Sequence, residues 1–473
     1  MADDELYFAT ATELARLLRA KEVSSVELTR LFLARLENLG LQYNALAELT
    51  PDLALAQARR ADRAIHSGKA LSALHGVPYG AKDLLATRNI PTRWGAPPFR
   101  EQVFDYDATV IRRLRDAGAV LLGKLAMVEL AGGGGYAYAS ASLHGPGLNP
   151  WNVRHWAGGS SSGSASAVAA GLVPYALGSE TRGSIMSPSA YCGITGLRPT
   201  WGLVSRYGAM ELGWSMDKIG PMAHSAEDCG WVLQTLAGYD AKDSTTSVRD
   251  FRFSARIDRR EFRLGVLPAD FGDEPEIEEA FEEALRTLRR AGLKIAPIDL
   301  PDLPYAETTR TILNGETAAA FQDLIKSKRL DELVDTAQKE GLRRNLQLTA
   351  VELLDAQRKR GPLTRQVLQL FDRVDALVSP TAVNVAPALD TNLQTMVRKR
   401  GNYSMLGALC GVPAVSLPMG FGRQGLPLGL CLTGNLWSEN TILQIGMIYQ
   451  RETDWHRRIP VLKDIQGHNN PAK

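Results

Sequence analysis

The chain has 473 residues, with 54 Lys plus Arg against 52 Asp plus Glu for a net charge of +2, too balanced to mark nucleic acid or an anionic membrane as its partner. Its length allows a large buried core without staples, and its cysteines, Cys192, Cys229, Cys410 and Cys431, lie far apart with no CxxC pair or metal-ligand spacing. An acidic start, MADDELYF, and the lack of an apolar run of membrane-spanning length lead us to expect a soluble, cytoplasmic protein acting on a small molecule.

The first 70 residues read as helices. Ser24 to Glu27 form a capping-box pattern ahead of Leu28, Leu31, Phe32 and Leu36 on one face, and a second helix starts at Thr50 with Pro51 in its first turn and stops near Gly68. Helices and short apolar strands then alternate, as in Asp107 to Ala117 followed by Ala119 to Leu122, which predicts an α/β sheet protein. Between Tyr136 and Ser215 the composition shifts towards Gly, Ser and Ala, a backbone-rich stretch of the kind that builds sites. Further on come a strand near Leu264 to Leu267, a helix near Glu274 to Ala291, a strand near Leu293 to Leu300 and helices between about 304 and 372. Strands return at Ala376 to Ser379, Ala414 to Leu417 and Leu428 to Thr433, then a helix from about Glu439 and a polar, loose tail after Gly467.

Two runs imitate better-known motifs. Gly118-AVLL-Gly123-Lys124 has phosphate-loop spacing, but Leu125 stands where a Ser or Thr is needed and the intervening residues are apolar, so a buried strand explains it better. Gly159-x-Ser161-x-Gly163 satisfies the nucleophile-elbow spacing, yet Asn152 to Ala157 is not a convincing strand before it and few histidines follow. A second glycine-containing turn, Ser179 to Ser184, follows the apolar Val173 to Leu177. Such a turn offers several N–H groups beside a hydroxyl, as acyl transfer requires.

The segments His75 to Asp83, Gly123 to Glu129, Asn149 to Asn152, Gly158 to Gly171, Gly178 to Pro199, Asp375 to Thr381 and Gly411 to Gly420 together resemble the amidase signature family, in that family's order. The resemblance implies an α/β fold with a large mixed sheet covered by helices on both faces. It would be a single domain over 1–473: N-terminal helices to about 70, a motif-bearing core over about 71–235, a more variable helical and αβ region over about 236–400, and a return to the core sheet over about 401–466. It further implies a Ser-cisSer-Lys triad, with Lys82 as the lysine, Ser160 as the bridging serine in a cis peptide, and Ser184, 24 residues later, as the acylated nucleophile.

Lysine at its ordinary pKa of about 10.4 is a cation, but burial among hydroxyls disfavours that form and frees a lone pair. Lys82 would then deprotonate Ser184 through Ser160, and the backbone N–H groups of Thr181, Arg182, Gly183 and Ser184 would hold the oxyanion. No metal or organic cofactor is called for. Glu180 and Asp217 read as structural acceptors, whereas the Arg182 side chain could pair with Glu180 or reach the substrate. By resemblance the backbone of Gly132 to Gly135 could line the site, so Gly132, Gly133 and Ser161 are expected to face the substrate. Tyr136, Tyr138, Trp151, Trp156, Trp201 and Trp214 cluster around the motifs, and an aryl pocket built from some of them would suit amides, anilides, carbamates or aryl esters. Two other readings stay open: the glutaminase component of a tRNA-dependent amidotransferase, which needs a partner, and a non-catalytic binding protein on the same scaffold.

Overall fold

A computed structural model describes residues 3–258, 261–272, 274–396 and 403–462; the polar tail lies outside them. Both expected N-terminal helices form. Ser24 accepts the Glu27 N–H while the Glu27 carboxylate accepts the Ser24 N–H, closing the box at the head of Ser25–Gln42. Pro51 opens the helix Pro51–His66, where its missing N–H costs nothing.

The core is an eleven-stranded mixed sheet. In chain order its strands are β1 (Leu46–Leu49), β2 (Pro78–Lys82) and β3 (Val120–Leu125), then, after a separate two-stranded ribbon of β4 (Leu148–Asn149) and β5 (Asn152–Trp156), β6 (Tyr175–Glu180), β7 (Thr195–Arg198) and β8 (Lys218–Ala223), followed by β9 (Arg263–Val266), β10 (Lys294–Pro297), β11 (Ala376–Pro380), β12 (Ala414–Phe421) and β13 (Pro427–Gly434). Their spatial order is β1-β3-β2-β6-β8-β7-β12-β13-β11-β9-β10. β2 runs parallel to β3 and β6, and β9 parallel to β10 and β11, while the pairs from β6 through β13 in the middle are antiparallel. Every residue of β2, β3, β8 and β13 is buried. A strand buried at both parities has both faces covered, here by helices such as Glu439–Glu452 on one face and Met186–Cys192 on the other.

Two expectations change. The segment before residue 70 contains β1, a short strand that caps the sheet edge by pairing antiparallel with β3. Asn152–Trp156 is a strand after all, but it pairs with Leu148–Asn149 and, through a single bridge from His155, with Ala388, apart from the main sheet. The false phosphate loop is β3 itself: Lys124 is wholly buried, 3.4 Å from Asp83 and 2.6 Å from the Thr92 hydroxyl. Asp83 therefore pairs with Lys124, and its neighbour Lys82 is left for other partners.

Candidate active site

Lys82 ends β2 with no solvent exposure. Its Nζ lies 2.7 Å from Ser160 Oγ, 2.9 Å from Ser161 Oγ and 3.0 Å from Ser179 Oγ. Burial pulls the ammonium down from its ordinary value to about 7, against the opposing pull of Asp217 and Glu180. Two of the serines sit just ahead of the helix Ser162–Ala169, every residue of which is buried. Small side chains permit that depth: a Cβ on Gly163 would stand 2.5 Å from the Ala45 carbonyl oxygen and 2.6 Å from the Ala126 backbone. The Gly159–Ser160 peptide bond is cis. Ser162, the third serine of the run, is turned towards Gly147 instead of the lysine.

The turn after β6 is organised by Glu180. Its Oε2 accepts the N–H groups of Ile185 (2.9 Å) and Met186 (3.0 Å), and its Oε1 receives Arg198 at 2.7 Å in a fully buried ion pair. Burial alone would raise this carboxyl; Arg198, Lys218 and the donated N–H groups more than offset it and hold the pKa below the carboxylate range. Arg198, not Arg182, is the partner of Glu180. With Ile185 and Met186 satisfied, the N–H groups of Gly183 and Ser184 donate to no other protein group among the described residues. Asp217 braces the turn from behind, accepting the Thr181 hydroxyl at 2.5 Å and the N–H groups of Leu212 and Gly213. Glu180 and Asp217 are thus both structural acceptors.

Ser184 opens into a cavity of about 560 Å³ whose wall includes Gly159, Thr181, Arg182 and the glycine run 132–135. That run is clamped to the helical region that follows β10: the buried Glu129 carboxylate accepts the N–H groups of Val334 and Asp335, and Gly134, at φ +89°, lies where a Cβ would meet the Gln338 carbonyl at 2.7 Å. Gly132 and Gly133 line the cavity. Ser161 does not; it is wholly buried beneath the wall, held between Lys82 and the Ser179 backbone, because its side chain points back at the lysine. Among the aromatics, Tyr136 and Trp156 reach the cavity, joined by Tyr191. Tyr138 and Trp214 are exposed, Trp151 packs on Phe421, and Trp201 faces Arg206.

Sequence reasoning passed over Ser179 and Arg198, although both stand inside the quoted blocks. It had no signal for Arg310, Leu313, Asn314 and Thr317, which line the cavity from one face of the helix Tyr305–Ala320. A larger cleft, about 950 Å³, lies elsewhere, between Phe8, Glu13, His224 and Arg457. It contains none of Lys82, Ser160 and Ser184, whereas Ser184 lines the smaller cavity. Among the described residues no cluster could hold a metal ion, and no helix is long and apolar enough to cross a membrane.

The chain is similar to known proteins over nearly its whole length. The chain is 37% identical to the A-type component of glutamyl-tRNA(Gln) amidotransferase from Methylococcus capsulatus, over 95% of its own length and 98% of the relative's. The protein of the same name from Chloroflexus aggregans is also 37% identical, over 97% and 99%. Among solved structures, native peptide amidase from Stenotrophomonas maltophilia superposes with a TM-score of 0.85 at 32% identity, covering 94% of this chain and 97% of that one. The Amidase family model matches residues 27–443, and with the buried sheet, the serine-rich helix start and the glycine turn all in place, the chain belongs to the amidase family.

Proposed function

We propose that the protein hydrolyses amide bonds through an acyl-enzyme, with Ser184 as nucleophile, Ser160 as bridge and Lys82 as base. The carrying observation is a fully buried lysine 2.7 Å from Ser160 Oγ, with its pKa drawn to about 7. A neutral amine has two N–H donors and one lone pair, and three hydroxyls surround this one. Ser161 sends its own proton to the Ser179 carbonyl at 3.2 Å. Its oxygen therefore accepts from Lys82, as Ser179 Oγ does, which leaves the lone pair for the Ser160 proton.

Ser160 then takes the proton of Ser184 as that oxygen attacks the carbonyl carbon. The N–H groups of the turn 181–184 hold the oxyanion, worth on the order of 3 kcal/mol for each well-aimed donor. The proton returns along the same path to the leaving nitrogen, the C–N bond breaks, and water repeats the sequence on the acyl ester. Four buried, free cysteines suit a reducing cytoplasm, where we place the protein. Carbamates and aryl esters fall within the same chemistry.

The test is turnover of matched p-nitroanilide, carbamate and ester substrates by the purified chain without added partner or metal, beside Ser184→Ala. Loss of turnover in the variant is expected; retention would exclude Ser184 as nucleophile. A second reading, ammonia release from glutamine as one component of a tRNA-dependent amidotransferase, is favoured by the names and full-length coverage of the curated relatives. It requires glutamine hydrolysis to rise when the complementary components of such an enzyme are added, whereas the stand-alone reading requires no such rise.

A further inference from the structure

A further lysine is buried behind the turn that presents Ser184. Lys218, 2% exposed, opens β8 directly opposite Glu180 in the antiparallel register with β6. Its Nζ donates to three carbonyl oxygens, those of Thr181 at 3.5 Å, Gly407 at 3.2 Å and Met216. That cage differs in kind from the one around Lys82. Hydroxyls give and accept hydrogen bonds, so three of them can satisfy a neutral amine, whereas carbonyls only accept. An ammonium has three N–H donors for three carbonyls; a neutral amine would turn its lone pair on one of them. Burial and Arg198 lower the pKa of this group, and Glu180 and Asp217 raise it. The carbonyls match the cation, which has no lone pair with which to act as a base.

Thr181 is held at three points. Its hydroxyl donates to Asp217 at 2.5 Å, its methyl lies where a Cβ on Gly213 would stand 3.0 Å away, and its carbonyl faces Lys218. This last contact is the longest of the three that Lys218 makes, yet a full charge still orients a carbonyl dipole at that distance in a buried setting. The Thr181–Arg182 peptide is planar and trans, so its C=O and N–H point in opposite directions. Thr181, Arg182 and Ser184 line the cavity and Lys218 does not. A carbonyl turned back on Lys218 therefore turns the Arg182 N–H forward. The same ammonium ties the turn to the helix Ser404–Cys410 through Gly407, where a Cβ would collide with the Arg198 guanidinium.

Resting on the hydrolase reading above, we propose that Lys218 is a positioning residue of the oxyanion site: as an ammonium it holds the Thr181 carbonyl and so aims the Arg182 N–H at the oxyanion formed when Ser184 attacks. The charge also polarises the peptide it holds, which makes that N–H a stronger donor.

The experiment begins with Lys218→Met, which keeps the apolar stem and removes the ammonium. With p-nitrophenyl acetate, kcat should fall about tenfold to hundredfold and KM should change little, because the donor acts on the transition state. The analogue with C=S in place of C=O is a poor hydrogen-bond acceptor and should lose much less. The oxygen-to-sulfur ratio of kcat/KM should then drop by about tenfold. A lysine needed only for folding would lower both substrates alike. Lys218→Gln offers two N–H donors without the charge and should recover part of kcat and of the ratio. Should Lys218→Met not fold, Asp217→Asn with Lys218→Met removes opposite charges together, and the same ratio is compared with that of Asp217→Asn alone.

Crystal structures of the wild type and of the folded variant supply a readout that needs no turnover: the Thr181–Arg182 peptide should rotate once the ammonium is gone. An unrotated peptide, or an unchanged oxygen-to-sulfur ratio in an active variant, overturns Lys218 as a positioning residue. A rotated peptide in a protein whose wild type cleaves no ester or amide upholds the hold on Thr181 and overturns the hydrolase reading instead.

Discussion

At the scale of single residues, Lys82 sets the pH behaviour. Below about 7 it is an ammonium that donates all its hydrogens and cannot take the Ser160 proton; above that value it is neutral. Activity should therefore rise with pH, half-maximal near 7 and level by about pH 8.5. A kcat/KM profile on an uncharged anilide checks this, and a flat profile between about pH 6 and pH 8 would exclude Lys82 as the base. Among the described residues no histidine lines the cavity, so an imidazole there does not supply that midpoint. Lys82→Ala should lower kcat on the order of 10⁴-fold or more, since groups acting as a unit fail together.

Arg198 belongs to the same scale but to stability. Replacing it with Met would strand the Glu180 carboxylate, wholly buried, without its 2.7 Å partner. Breaking a buried pair in this way costs about 3–5 kcal/mol, less where the carboxyl can take up a proton. Denaturant midpoints should show the loss, and Glu180→Gln in the Arg198→Met background should recover part of it.

Elements decide how those residues meet. The helix Ser162–Ala169 reaches the sheet only because Gly163 has no side chain, and its obstacles are backbone atoms of Ala45 and Ala126 that cannot rotate away. Gly163→Ala should displace the helix start that carries Ser160 and Ser161. We expect about 1–3 kcal/mol of lost stability, as for other overpacked cores, together with a fall in kcat larger than any change in KM. Stability and kinetics measured on one preparation check both parts.

This element also marks what could be read from the chain alone. Ser24 with Glu27 announced a capped helix ahead of Leu28, because cap chemistry is local. Which of Ser160, Ser161 and Ser162 faces the lysine was not local. Ser160 and Ser161 both do, and only the hydrogen bond from Ser161 to the Ser179 carbonyl tells their roles apart. The strands β1 and β5 were missed because Leu46–Leu49 and Asn152–Trp156 are short and take their pairing from distant or ribbon partners. The wall at Arg310 and Arg344 was hidden because both side chains are exposed, and an exposed polar helix face reads as plain surface.

The whole molecule joins these parts through strand order. β12 and β13, from the last eighth of the described chain, sit between β7 and β11 near the middle of the sheet. Arg198, at the end of β7, donates from its Nη2 to the Val412 carbonyl at 3.2 Å, just before β12, while its Nη1 holds Glu180 at the end of β6. The turn that presents Ser184 is thereby braced on residues more than 200 positions downstream, and a chain still lacking β12 and β13 has β7 and β11 as open edges. Removing residues 403–462 should accordingly yield aggregated protein without hydrolase activity, and not a smaller active domain. In the full chain the same interlock predicts that the backbone amides of β8, β12 and β13 exchange with solvent only through global unfolding. Hydrogen exchange across a denaturant series would show one common opening free energy for these three strands. A lower value for β12 and β13 than for β8 would mean that the C-terminal strands detach on their own, and that the brace on Glu180 is weaker than its geometry implies.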